Sequence, residues 1–208
     1  LDTSFVNFDT VNVNGTATST VVISNTGNDD LVVDSISIYS GNANTHSFRF
    51  DGTDDYVDFG DPASGILDVG VEDFSIAFYL NVDSQVNYSM EGLIICKRYY
   101  SMGNGYSVYI NPNDYTLHVE ILTFSSNTDI GTTSNFNDNQ WHYFVAVFDR
   151  DGNCSLYVDG ILENSQSIIG QNTNIDNDQP FTIGWFAPDI NYPQYNRHYE
   201  GLLDEVSI

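Results

Sequence analysis

The sequence predicts an all-β protein, two antiparallel sheets packed as a sandwich or jelly roll, and three observations carry that prediction. Apolar and polar residues alternate at period two through most of the 208 residues, while the i, i+3, i+4 spacing of an amphipathic helix is nearly absent. Turn formers punctuate the alternating stretches: "NPND" at 111–114, "RDGN" at 150–153 and "VDG" at 158–160. Asp, Asn, Ser and Thr are abundant, and such short polar side chains favour turns and sheet surfaces over helices.

In chain order, residues 1–44 form the first unit. "FVNFDTVNVNGTATSTVVISNTGNDDLVVDSISI" reads as three Val-, Ile- and Thr-rich strands separated by "VNGT" and "NTGNDD". Through "FDTVNV", "TATSTVVISNTGNDDL" and "VVDSISI" it resembles the first half of the immunoglobulin-like choice-of-anchor D, or ASPM–SPD-2–Hydin-type, domains. Three strands bury too little surface to stand alone. They are expected to dock on the following domain, to be completed by residues beyond this chain, or to self-associate by pairing an open edge with another molecule.

Residues 45–208 form the second unit. In "FRFDGTDDYVDFG", Phe48 and Phe50 share a face, the chain turns at Asp51-Gly52, and Val57 and Phe59 point inward with Asp55 on their parity. "FSIAFYLNV" places Phe74, Ile76, Phe78, Leu80 and Val82 on one face, and "YTLHVEIL" does so with Tyr115, Leu117, Val119 and Ile121. "WHYFVAVFD" is apolar on both parities, as a central strand covered on both sides would be, with Trp141 anchoring the core. Cys154 shares parity with Leu156 and Val158 and points inward; with Cys96 it allows one disulfide or two buried thiols. Four segments in order, "FRFDGTDDYVDFG", "FSIAFYL", "WHYFVAVFDRDGNCSLYVDG" and "FTIGW…YEGLLDEVSI", make this unit resemble a LamG-like jelly roll of the concanavalin A-like and pentraxin superfamily. The resemblance implies the fold and neighbouring first and last strands; function follows from the site, because this fold hosts lectins, adhesion modules, enzymes and spacers.

Net charge −24, with Lys97 the only lysine, makes nucleic acid and anionic membrane surfaces poor partners. No apolar run is long enough to span a bilayer. The absence of an initiator Met and of a signal peptide reads as a mature product or a piece of a longer chain. The Glu-x-Asp-x-x-Glu strand of the superfamily's glucanases is missing, as are Gly-x-Ser-x-Gly, Walker and His-Glu-x-x-His motifs. The four histidines, His46, His118, His142 and His198, are scattered without metal-ligand spacing. The chain is therefore expected not to be an enzyme.

Two candidate sites remain. Asp55 and Asp204, the latter on the parity of Val206 and Ile208, stand where apolar side chains are expected. Carboxylates buried together need a counter-charge or several donors, and Arg49 faces outward. A structural calcium with oxygen ligands would serve, held by Asp51, Asp55 and Asp204 with Asp54 as a substitute; related jelly rolls hold calcium near this pair of strands. The alternative is that Asp51 and Asp54 make Asx-turns and Asp204 accepts backbone amides. The second site is a loop rim, "KRYYSMGNGY" and "GWFAPDINYPQYNRHYEG". Tyr99, Tyr100, Trp185, Phe186, Tyr192 and Tyr195 could stack on sugar rings while Asn104 and Asp189 bond hydroxyls; otherwise Trp185 and Phe186 cap the core. "FDRDGNCS" mimics the start of a calcium loop but lacks its closing glutamate and reads as a hairpin turn. Together these point to an extracellular or cell-surface adhesion module that recognises a glycan or another surface protein and is stiffened by calcium. The alternative is a filament or array subunit assembled through the N-terminal strands.

Overall fold

The computed structural model describes residues 47–99, 103–186 and 197–208, and no helix forms among them. The strands are β1 (Phe48–Asp51), β2 (Val57–Asp58), β3 (Phe74–Asn81), β4 (Gly92–Arg98), β5 (Gly105–Ile110), β6 (Thr116–Leu122), β7 (Asn127–Asn135), β8 (His142–Phe148), β9 (Asn153–Val158), β10 (Ile161–Ser167), β11 (Thr182–Ile183) and β12 (Glu200–Ser207). They form two six-stranded sheets: sheet A, ordered β1-β12-β3-β8-β9-β10, and sheet B, ordered β2-β11-β4-β5-β6-β7. All strand pairs within both sheets are antiparallel, and β1 and β12 are neighbours as the resemblance implied.

The alternation in the sequence becomes the core. Ile76, Phe78, Leu80, Phe144, Phe148 and Leu156 of sheet A are fully buried against Ile94, Ile95, Tyr106, Val108, Leu117 and Val119 of sheet B. Each such side chain contributes ~1.5–3 kcal/mol by leaving water. Phe74 and Phe148, paired across β3 and β8, stack at 4.2 Å. Turn chemistry sets the registers. In the β9–β10 hairpin, Asp159 (φ 51°) and Gly160 (φ 80°) are the two residues between Val158 and its partner Ile161, the left-handed pair an Asp-Gly loop supplies. "FDRDGNCS" is a hairpin turn too: Gly152 N donates to Asp149 O at 3.0 Å.

Cys96 and Cys154 are both buried, and burial pushes the Cys154 thiol up to about 12. Three expectations are corrected. Trp141 is 44% exposed: it precedes β8 on the parity opposite to the inward Phe144, Ala146 and Phe148, and the buried aromatic of this corner is Phe136. β8 is central in its sheet, but among the described residues it is covered on one side only, with Val147 39% exposed on the outer face. Phe59 is 54% exposed because β2 ends at Asp58, whose Oδ1 accepts Gly60 N at 2.7 Å, so the strand's alternation stops before Phe59 is placed.

Candidate functional site

The acidic turn after β1 is organised by its own carboxylates. Asp51 Oδ1 accepts Thr53 N at 2.8 Å and Asp54 N at 3.4 Å, an Asx-turn, and Asp55 Oδ2 accepts Asp51 N at 3.1 Å. Gly52, at φ 74°, takes the left-handed conformation this reversal needs, and a Cβ there would stand 2.9 Å from Glu200 Cβ. Asp51, Asp54 and Asp55 each offer an oxygen, all within 4.8 Å of one another, and all three residues are exposed. Three carboxylates at that spacing are the hard oxygen donors of a calcium site completed by carbonyls or water, so these residues fit such an ion. The Asx-turn and the ion are compatible, because the turn consumes one oxygen each of Asp51 and Asp55.

The structure corrects Asp55, which is exposed rather than core-facing, and it separates Asp204 from the cluster. Leu203, not Asp204, is fully buried on β12. Glu205 adopts φ 48° and the β12–β3 register shifts between Asp204 and Ser207, a bulge that reverses the parity. Counting back from Val206 through the bulge assigns Asp204 to the wrong face. It pairs with Tyr79, whereas the residue opposite Asp51 is Glu200.

Trp185 does reach the acidic turn. Its ring lies 4.7 Å from Tyr56, tilted by 42°, and stacks on His198 at 6.0 Å and 15°. Gly184, immediately before it, sits at φ +86°, where a Cβ would meet the Phe50 ring at 2.5 Å and Asp55 O at 3.3 Å, so only glycine lets the chain pass this close. Gly184 N donates to Ile94 O and Gly184 O accepts from Tyr199 N, both at 2.9 Å, and Trp185 O accepts Thr182 Oγ1 at 2.7 Å. Burial lowers the pKa of His198 against the opposing pull of Asp55, Asp54 and Asp51. On the other flank of Asp51 a cavity of about 500 Å³ is lined by Arg49, Asn81, Asp83, Gln85 and Asn139 among others, within the size range of small-ligand sites.

Tyr99 and Asn104, expected on the same rim as Trp185, lie toward the other end of β4. Tyr99 follows Arg98, whereas Trp185 is tied near Ile94. Tyr99 Oη donates to Asp178 Oδ1 at 2.7 Å and Asn104 Nδ2 to Asn174 O at 3.0 Å, so both pin the 174–178 segment. Beside them Lys97, 1% exposed, is bound by Asp61 Oδ1 (2.9 Å), Asp68 Oδ1 (3.1 Å), Gln179 O (3.0 Å) and Asn177 O (3.2 Å). Two carboxylates and two carbonyls surround this ammonium as they would a metal ion. Phe186 is buried between the guanidinium groups of Arg98 (4.6 Å) and Arg197 (5.0 Å), so it belongs to a packed cluster, not to an open platform. Tyr100, Asp189, Tyr192 and Tyr195, with the whole of residues 1–44, lie outside the described residues.

Sequence reasoning missed Tyr56, His198 and the role of Lys97. Tyr56 was in view beside Asp55, and a single lysine in so acidic a chain was the signal for a buried counter-charge.

Residues 51–208 match the family described as the concanavalin A-like lectin/glucanases superfamily. No curated protein matches the chain by sequence. Among solved structures, the binding domain of Paraclostridial Mosquitocidal Protein 1 is similar at TM-score 0.58 and 18% identity, over 76% of this chain and 38% of that one. Domains LG4-5 of the mouse laminin alpha1 chain are similar at 0.57 and 14%, over 88% and 46%. The heptameric SAP-like pentraxin of Limulus polyphemus is similar at 0.53 and 18%, over 76% and 73%. The chain thus spans less than half the length of the first two, and at these identities the likeness is one of fold.

Proposed function

The chain belongs, through residues 51–208, to the concanavalin A-like lectin/glucanases superfamily, and from that premise we propose that it is a non-catalytic extracellular recognition module that binds glycan at the acidic turn. The observation that carries this is the meeting of Asp51, Asp54 and Asp55 with the Tyr56–Trp185 pair. Sugar rings present apolar faces to aromatic planes and hydroxyls to carboxylates, amides or a bound cation. Asp51 joins the carboxylate cluster to the cavity lined by Asn81, Gln85 and Asn139, so a ligand spanning both would find each kind of contact. Calcium bound by the three aspartates would neutralise their mutual repulsion and offer coordination positions to hydroxyls.

The non-catalytic reading is supported by Glu120, the carboxylate of β6 on the outer face of sheet B. It is held by Arg98 at 3.0 Å and by Ser107 Oγ at 2.8 Å, an ion-paired structural role. An extracellular setting is in keeping with the acidic surface, and among the described residues no helix is long and apolar enough to cross a membrane.

The test uses the two tryptophans. With Trp141→Phe leaving Trp185 as the only indole, calcium and then oligosaccharides are titrated while Trp185 emission is followed. A saturable change with calcium, enlarged by an oligosaccharide, supports the reading; emission that ignores both rejects it.

A further inference from the structure

The chain holds five basic side chains against 29 acidic ones, and four of the five are committed within the fold. Lys97 is bound by Asp61 and Asp68, Arg98 by Glu120 and Arg197 by Glu91. Arg150 directs its guanidinium at the carbonyls of Gly70, Gln171 and Thr173. The fifth, Arg49, is exposed and makes no ion pair or hydrogen bond among the described residues, yet it lines the cavity beside the acidic turn.

The carboxylates around Arg49 are engaged elsewhere. Asp51 Oδ1 accepts Thr53 N and Asp54 N, and Asp83 Oδ1 accepts Gln85 N at 2.8 Å. Asp204 Oδ1 accepts Glu205 N at 2.9 Å. The Glu200 carboxylate lies over Gly52, where a Cβ would stand 3.1 Å from Oε2, on the side of the acidic turn. A guanidinium with five donors and no acceptor is thus left facing the cavity.

Strand register supplies its surroundings. Phe50 and Leu203 are buried, so Arg49 on β1 and Leu202 on β12 face outward. Arg49 stands opposite Leu202, and Leu202 opposite Asn81 on β3. One row across three strands therefore offers a guanidinium, an apolar side chain and an amide. Gln85 and Asn139 add two more amides to the same cavity of about 500 Å³.

Resting on the reading of the acidic turn as a glycan site, we infer that Arg49 is its specificity-determining residue and selects a glycan with a carboxylate-bearing sugar, a uronic acid, in an otherwise neutral chain. Arg pairs with a carboxylate through two parallel hydrogen bonds, a geometry that lysine lacks. The sugar's apolar face would lie on Leu202 and its hydroxyls would meet the amides. Arg49 and Asp51 are two residues apart on one strand, roughly 7 Å, so a ligand that reaches the acidic turn also reaches the guanidinium. Net charge decides how many anionic groups the ligand carries. The field of a chain at −24 opposes a polyanion, and a densely sulfated chain would find no second uncommitted cation among the described residues. A single carboxylate meets its partner at contact, while charges beyond about 8 Å are screened at physiological salt.

The experiment measures binding of the full chain, with calcium present, to neutral oligosaccharides that carry one uronic acid, to the same oligosaccharides with that carboxyl reduced to the alcohol, and to heparin. The uronic acid form is expected to bind about 10- to 100-fold more tightly than its reduced counterpart, the scale of hydrogen bonds to a charged group. Arg49→Gln is expected to remove that preference and leave affinity for the reduced form unchanged, a pattern that a merely structural role would not give. Arg49→Lys is expected to restore part of it. Asn81→Asp, which sets a carboxylate in the same row, is expected to weaken the uronic acid form selectively and so repeats the test on a second strand. Equal affinity for the two forms, a preference that survives Arg49→Gln, or heparin bound more tightly than the uronic acid form overturns the inference and leaves the glycan reading standing. No binding to any glycan overturns both.

Discussion

Trp185 and Tyr56 lie with ring centroids 4.7 Å apart, which brings the segment after β11 against the acidic turn after β1. Tyr56→Ala and Trp185→Ala are therefore each expected to lower glycan affinity by ~10-fold or more, on the scale of removing a stacking ring and the apolar area it covers. Trp185 is only partly buried, so its removal is expected to shift the thermal midpoint little. Binding isotherms paired with melts of the same variants check both statements.

Calcium is expected to raise the melting temperature of the wild-type chain with a concentration dependence that saturates, because an ion bound only by the folded state stabilises it by RT ln(1 + [L]/Kd). Asp54→Asn removes one of the three carboxylates while leaving the hydrogen bonds made by Asp51 and Asp55. Its melt without calcium is expected to match wild type and its response to calcium to be weaker. Calorimetric scans with calcium and with chelator read the difference.

At the other end of β4, Lys97→Met leaves Asp61 and Asp68 facing each other without their ammonium. The loss is expected to be ~3 kcal/mol, the scale of breaking a buried pair by removing one partner. Urea unfolding measures it, and the expected signature is a lower midpoint with an unchanged slope.

Stability should also fall as pH rises above the ordinary histidine range. In His118 the hydrogen bond to Asp129 raises the pKa and outweighs burial. In His142 burial opposes the charged form, but the hydrogen bonds to Asp159 and Asp138 together prevail. A folded-state pKa above the unfolded value of about 6.5 gives stability that is full below that value and lost as pH climbs through the raised one. His198, lowered by burial, acts in the opposite sense, its contribution lost as pH falls below the same value. His142→Gln is expected to flatten the decline in melting temperature between about pH 6 and 8, and a slope identical to wild type would sink the assignment.

Much of the fold was legible because period-two alternation reports directly on which side of a strand is buried. Ile76, Phe78 and Leu80, and Leu117, Val119 and Ile121, all face the core as their spacing says. Alternation failed where the backbone left regular strand geometry: at Phe59, past the end of a two-residue strand, and at Asp204, before the bulge at Glu205. The site was half legible. The crowding of Asp51, Asp54 and Asp55 is local and visible in the sequence, whereas their approach to Trp185 depends on β2 and β4 flanking β11, a long-range pairing that composition does not encode. The same distance effect hid Lys97, whose four oxygens come from three separate segments.

The most direct test of the recognition site is glycan binding by the full chain on an array, with calcium and with chelator, beside Asp54→Asn and Trp185→Ala. Binding that requires calcium and falls in both variants, with their folds intact, is the predicted result. Glycan binding that is indifferent to calcium and to both substitutions, or no glycan binding under any condition, would contradict it.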